Sequence, residues 1–234
     1  MSADSVGVAR PENHRARGGS TPTSALHQLM VRPVPFRIAK AVLVRNHYLK
    51  SMPGGTQLAL GVFEGPRLQG ILTLGVGPPM VFRLVNGAEP DDCATLSRFW
   101  LSDVLPRNSE SRVLGVVLRA LKRCTSLKFL ISYADPAVGH RGGIYQATGW
   151  IYTGPSQTAT LIDLGDGVLR HSRTVGHAFG THSIRHFEAH GIPVRTVRQV
   201  PKHRYIYFID SSWRDRLRAP VLPYPKEAGR YESS

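Results

Sequence analysis

The stretch SYADPAVGHRGGIYQATGWIYTG, residues 132–154, decides the fold. It follows a short apolar run, Leu127 to Ile131, with the length and composition of a buried strand. The run ends in Ser132, Tyr133 and Asp135, polar groups where a buried strand should meet a crevice. Pro136, Gly139, Gly142 and Gly143 then break the chain. Ile144 to Ala147 reads as a short helical piece, stopped at Gly149, and Trp150 to Tyr152 reads as a second strand. A strand with a polar end, followed by a helix and another strand, is where open α/β sheets place their ligands. The competing reading is a polar loop leaving a core strand.

Working outward, Arg112 to Arg123 is predicted to be a helix that buries Leu114, Val117, Leu118 and Leu121 and leaves Arg112, Arg119, Lys122 and Arg123 to solvent. Ser109 or Ser111 would cap it. Before it, Ala94 to Asp103 reads as a strand that carries Arg98 in an apolar setting. Gln57–Phe63 and Leu68–Gly75 read as a hairpin. Leu29 to Val31 begins a first strand, closed by Pro33 and Pro35. A helix follows from Phe36, with Ile38, Ala39, Val42 and Leu43 on one face, and stops at Asn46-His47-Tyr48. Downstream, Thr158 to Leu164 is one more strand, Ser183 to Ala189 a helix, and Val194–Val200 and His203–Ile209 two closing strands. Strands alternating with helices, plus an early hairpin, give an α/β or α+β sheet of mixed direction. Residues 1–25 read as a disordered basic tail and 26–165 as the catalytic core. Residues 166–210 read as a basic, His-rich extension of the same domain, and 211–234 as a C-terminal tail without order signals.

At 234 residues the chain buries one good core. No apolar run approaches a membrane span, so no membrane partner is expected. Two cysteines, Cys93 and Cys124, exclude a disulfide framework and set an intracellular, cytoplasmic expectation. Thirty basic against sixteen acidic side chains, a formal charge of +14, point to a polyanionic partner. Arg170, Arg173, Arg185, Arg195, Arg198, Lys202 and Arg204 crowd one region, which makes double-stranded DNA the expected partner.

The run Ile144-Tyr145-Gln146-Ala147-Thr148-Gly149-Trp150, set between strands, resembles the second half of the GNAT acyltransferase fold. More narrowly, His47-Tyr48, Leu96-Ser97-Arg98, residues 106–112, Tyr133-Ala134-Asp135, Gly139-His140, Ile144-Tyr145 and Lys202-His203-Arg204-Tyr205 resemble the Mom-type phage DNA-modification proteins. The resemblance covers roughly Arg32 to Phe208. It implies a GNAT-like central mixed sheet flanked by helices. It also implies conversion of adenine in DNA to its N6-carbamoylmethyl form, which blocks restriction. Acetyl-CoA or another activated small-molecule donor would supply the group. GNAT enzymes hold the CoA pyrophosphate on a Gly-rich loop before the central helix, using bare backbone N–H groups. Here Arg107-Asn108-Ser109-Glu110-Ser111-Arg112 stands at that place without a glycine. Arg107, Ser109, Ser111 and Arg112 are the expected anion contacts, joined by Arg98 and Tyr145.

That chemistry needs a weak, delocalised amine to attack an activated carbon and lose a proton. Asp135 is the expected proton acceptor, with Ser132 and Tyr133 beside it, although alternation sends those two to opposite faces. The alternative for Asp135 is a turn cap before Pro136. His47 and Tyr48, after a helix and before a glycine-rich turn, are expected to be exposed and mobile, as a base and a stacking ring. The alternative for His47 is a helix C-terminal partner of carbonyls. Arg98 either meets an anion or pairs with Asp103 or Glu110. His140 and Tyr145 flank the glycine-rich entrance to the last helix and are candidates for contact with donor or base; the alternative is a loop His and a packed Tyr. His182, His186 and His190 recur every four residues, as on one helix face, with no Glu after His182; no metal is assigned to them. Three functions stay open: the DNA-modifying transferase, an acetyl-CoA-dependent N-acetyltransferase, and a non-catalytic nucleic-acid-binding protein.

Overall fold

The computed structural model describes residues 29–226; the basic tail expected over residues 1–25 lies outside them. The chain runs β1 (Leu29–Pro33), α1 (Phe36–Asn46), β2 (Thr56–Glu64), β3 (Arg67–Gly75), β4 (Cys93–Leu101), α2 (Ser109–Cys124), β5 (Phe129–Ala134), α3 (Gly143–Ala147) and β6 (Ile151–Pro155). It continues with β7 (Thr160–Asp163), β8 (Arg170–His171), α4 (Ser172–Phe179), α5 (Ile184–Ala189), β9 (Arg195–Arg198) and β10 (His203–Phe208). The main sheet has seven strands, in the order β1-β2-β3-β4-β5-β10-β6. Every neighbouring pair is antiparallel except β4 with β5, so the sheet is mixed, as the sequence implied.

The parallel pair positions the site. β4 and β5 pair only from Cys93↔Phe129 to Leu96↔Ser132. Beyond that point β4 runs on to Leu101 and β5 to Ala134 unpaired with each other, so the sheet splays open. A bulge starts the splay: Thr73 faces Arg98 and Leu74 faces Leu96, which leaves Ser97 as the extra residue. The bulge re-aims β4 and puts Arg98 on the same face as Thr73.

The two faces of the sheet are packed differently. One carries a single continuous cluster: Val62, Leu72, Leu74, Leu96, Leu130 and Tyr205 meet Val113, Leu114, Val117, Leu118 and Leu121 of α2. The other face is divided. Ala59 and Ile71 pack under Ala39 and Leu43 of α1. Phe129, Ile131 and Ile206 pack under Val81, Val85 and Ala88. Strand alternation places Thr73, Thr95 and Arg98 on that face between the two clusters, and the hydroxyls of Thr73 and Thr95 are buried without a partner. Of the stripe expected on α1, Ala39 and Leu43 are buried while Ile38 stays exposed, because α1 covers only the β2–β3 half of its face.

Two regions depart from the sequence reading. β7 joins β8 and β9 in a separate three-stranded sheet, order β8-β7-β9. With α4 and α5 that sheet encloses its own small core of Ile162, Val175 and Phe187. The segment after Ser211, expected without order, forms a 3-10 turn (Ser211–Arg216) and then a strap. Leu217 bridges Val85, Leu222 N–H donates to the Tyr152 carbonyl at 3.0 Å, and Tyr224 OH donates to the Trp150 carbonyl at 2.7 Å. The strap satisfies backbone groups on the open edge of β6, a need that composition does not reveal.

Candidate active site

β5 ends at Ala134, and Asp135 begins the turn that follows. Its Oδ1 accepts the Ala137 N–H at 3.0 Å, so the turn-capping role is real. Its Oδ2 lies 3.0 Å from Nζ of Lys202, the residue before β10. The Asp135 carbonyl also accepts the His140 N–H at 3.0 Å, which folds the 136–142 loop back over the strand end. A buried carboxylate held by one backbone donor and one cation keeps lone pairs free for a third partner.

His47 is buried, not exposed as expected. The turn after α1, with Lys50 in the left-handed region at φ 46 and its N–H on the His47 carbonyl, tucks the ring inward. The Leu49 N–H donates to Nδ1 of His47 at 3.1 Å, so the ring proton of the neutral imidazole sits on Nε2. Burial first, then Arg98, His140 and Lys50, lowers the His47 pKa from 6.5 to about 4. At neutral pH this ring is an uncharged Nε2–H donor rather than a base. Tyr48 stacks on it at 4.4 Å between centroids and meets His140 edge-on at 5.2 Å. Burial and then the Asp135 charge push the Tyr48 phenol up, and Arg98 opposes them. His47, Tyr48, Arg98, Asp135 and His140 thus form one electrostatically coupled group on the divided face.

Arg98 has no carboxylate within salt-bridge distance among the described residues, so neither Asp103 nor Glu110 pairs with it. Its Nη1 donates to the Ser97 carbonyl at 2.8 Å, and Nε and Nη2 reach the Ser51 carbonyl and Oγ at 3.4 Å each. Burial depresses its pKa. A half-buried guanidinium with only neutral partners is poised for an anion.

Ser132 and Tyr133 lie inside β5 rather than beyond it, on opposite faces. Ser132 Oγ is 2.8 Å from the Leu96 carbonyl and 2.7 Å from the Tyr145 hydroxyl. The carbonyl only accepts, so Ser132 donates to it and Tyr145 donates to Ser132. This buried relay ties β4 to β5 at their last paired residues, Leu96 and Ser132, where the splay begins. Burial pushes Tyr145 up to about 12. Tyr133 faces the other way, across β10 from Arg204.

At the start of α2, Asn108 is the cap residue, left-handed at φ 67, and no side chain caps the helix. The buried Ser109 donates its hydroxyl to the Pro106 carbonyl and Ser111 donates to Asn108, while Arg107 and Arg112 are exposed. Along the same helix, a groove of about 650 Å³ runs between α2 and α3, lined by Ser111, Arg112, Arg119, Thr148 and Tyr207. The histidine stripe does not lie on one helix: α5 starts at Ile184, so His182 sits in the turn before it and His190 follows its end. Among the described residues, no group of three or more His, Cys, Asp or Glu is placed to hold a metal, and no helix is long and apolar enough to cross a membrane. Sequence reading placed Lys202 in the basic cluster and in the Mom-like run 202–205 but not against Asp135, because the two lie 67 positions apart (202 minus 135) and no spacing signals the contact.

Solved structures similar to the chain include a spermidine N-acetyltransferase from Vibrio cholerae in complex with CoA and spermine, 9% identical, covering 80% of this chain and 98% of its own, TM-score 0.45. A ribosomal-protein-S5-alanine acetyltransferase from Vibrio fischeri is 9% identical, covering 80% and 95%, TM-score 0.46. The methylcarbamoylase Mom of Escherichia phage Mu is 30% identical in an alignment of 211 positions that covers 85% of this chain and 84% of that protein. The model of the Mom protein family matches residues 28–226. On that match, spanning all the described residues and every member of the coupled group, the chain belongs to the Mom protein family.

Proposed function

We propose that this protein is a DNA-modifying transferase that builds a carbamoylmethyl group on N6 of adenine and so shields DNA from restriction, acting in the cytoplasm of the host cell. The observation that carries this reading is the convergence of Asp135, Tyr48, His47 and Arg98 beside the splay of β4 and β5. Family membership supplies the chemistry. An adenine inside a duplex is extruded before reaction. It is received on the divided face beside Asp135, with the partly exposed Tyr48 ring as a stacking surface.

Bond formation at N6 joins nitrogen to an electrophilic carbon of the donor. The donor's leaving group departs with the bonding electrons, and one N6 proton must be taken up. Asp135 takes it, with Lys202 balancing its charge until then. His47, locked as an Nε2–H donor, and Arg98 stabilise negative charge that develops on the donor side. A donor whose methylene carbon carries the leaving group, with an anionic end, would lie along α2, with Arg112 and Arg119 on the rim of the groove, and reach N6 through the splay. Acetyl-CoA, electrophilic at its carbonyl carbon, would give an N6-acetyl group instead. Ser109, spent on Pro106, takes no part in that contact.

Mass spectrometry of nucleosides from the DNA of cells expressing the protein tests the reading. The expected product is deoxyadenosine carrying carbamoylmethyl on N6, joined through a methylene carbon. An N6-acetyl group, joined through its carbonyl, would instead identify an acetyltransferase, and unmodified DNA would remove the assignment.

A further inference from the structure

Residues 156–202 leave the main sheet after β6 and return at β10, and they contribute nothing to its cores. Pro155 and His203, where the segment departs and rejoins, are register partners. The Ser156 N–H donates to the Lys202 carbonyl at 2.7 Å, and the Lys202 N–H donates to Ser156 Oγ at 3.0 Å. The segment is therefore a lobe clasped at its neck, with its own sheet and its own core. Its last residue, Lys202, holds Asp135.

The surface charge of the lobe is one-sided once its internal pairs are removed. Asp163 Oδ1 accepts the N–H groups of Gly165 and Gly167, and Asp166 is forked by Arg170. Arg204, just past the neck, is spent on Thr153. Arg185, Arg195 and Arg198 remain, exposed and without a carboxylate partner among the described residues. A single further acid, Glu188, stands against them. The lobe has no Tyr or Trp and Phe187 is buried, which leaves Phe179, edge-on to Phe187 and half exposed, as a lone phenyl ring rather than a row on which successive bases of a single strand would stack. Several unpaired guanidiniums beside a single exposed phenyl ring suit the phosphates of a duplex.

We propose that this lobe is the duplex-docking element, gripping backbone phosphates with Arg185, Arg195 and Arg198 so that the neck sets the target base against Asp135. This rests on the DNA-modifying reading above and goes beyond it by assigning the grip to the insertion rather than to the site.

The test compares three full-length proteins by fluorescence anisotropy on a short labelled duplex across a salt series: the parent, Arg185→Ala/Arg195→Ala/Arg198→Ala, and the charge-matched control Arg67→Ala/Lys122→Ala/Arg123→Ala. All six positions are exposed, and equal melting temperatures establish that each variant is folded. The lobe variant should bind about tenfold or more weakly, with a salt slope shallower by about 2.7, roughly 0.9 for each lost contact. The control should track the parent. Equal losses in both variants, or an unchanged lobe variant, overturn the docking assignment while leaving adenine modification by the parent as a separate result. A parent that modifies adenine in cells but binds no duplex at low salt overturns it too. Loss of both modification and binding in the parent removes the functional reading itself.

Discussion

Nζ of Lys202 sits 3.0 Å from Oδ2 of Asp135, so the residue that closes the inserted lobe is also the counter-charge of the site's carboxylate. Lys202 keeps 26% of its side-chain exposure but Asp135 only 12%, so removing the cation alone leaves a mostly buried carboxylate with the Ala137 N–H as its remaining partner, at a cost of about 1–3 kcal/mol. Lys202→Met should therefore lose about 1–3 kcal/mol in urea unfolding while producing markedly less modified adenine at matched levels of folded protein. A stability loss several times larger, with activity intact, would make the pair structural only.

His47 ties acid stability to the site. Its folded pKa of about 4 lies below the ordinary 6.5, so between those values the unfolded chain binds the proton that the folded chain refuses. Stability from this group is complete above about pH 6.5 and is lost as pH falls towards 4, by on the order of 3 kcal/mol. His47→Asn keeps an acceptor for the Leu49 N–H but cannot titrate. Urea midpoints at pH 6.5 and pH 4.5 should differ less for this variant than for the parent; an equal difference would exclude His47 as the source.

Arg98 opposes stability to function. Removing a half-buried cation that lacks an anionic partner relieves a desolvation cost. Arg98→Met is expected to melt at or above the parent temperature and to make no modified adenine. A large drop in melting temperature would show that the Ser51 and Ser97 contacts matter more than the unpaired charge.

The β5–α3–β6 stretch, the β2–β3 hairpin and the stripe on α2 were legible because each is written in local period and in Gly or Pro punctuation. Arg98 was legible as a charge inside an apolar strand. The inward turn of His47 was not, since a backbone donor two residues later holds the ring and no side-chain pattern marks it. α4, SRTVGHAF, escaped notice because Gly176 interrupts it and Val175 alone is buried among its described side chains, which leaves almost no stripe. The strap over β6 and the Lys202 contact are tertiary, and periodicity carries no information about either.

Two adjacent glycines separate backbone need from tolerance beside the site. Gly142 has φ 78, and a Cβ there would come within 2.4 Å of the Tyr205 ring; Gly143 has neither constraint. Gly142→Ala should cost about 2 kcal/mol or more by adding left-handed strain to a clash, and it should displace the loop that carries His140. Gly143→Ala should be neutral or slightly stabilising. Thermal melts of the two variants check the pair, and equal effects would contradict the loop geometry.

The proton acceptor is the centre of the mechanism, and Asp135→Asn isolates it. Asn keeps an oxygen for the Ala137 N–H, and Lys202, partly exposed, can turn to solvent, so the fold should hold. Duplex binding should be kept as well, while the loss of the charged acceptor lowers the rate by about 10²–10⁴-fold. The deciding measurement is the N6-carbamoylmethyl deoxyadenosine content of DNA from cells expressing parent or variant at matched levels of folded protein. The expected result is abundant modified nucleoside with the parent and none with Asp135→Asn. Equal content from a folded variant would contradict the assignment of Asp135 as the base.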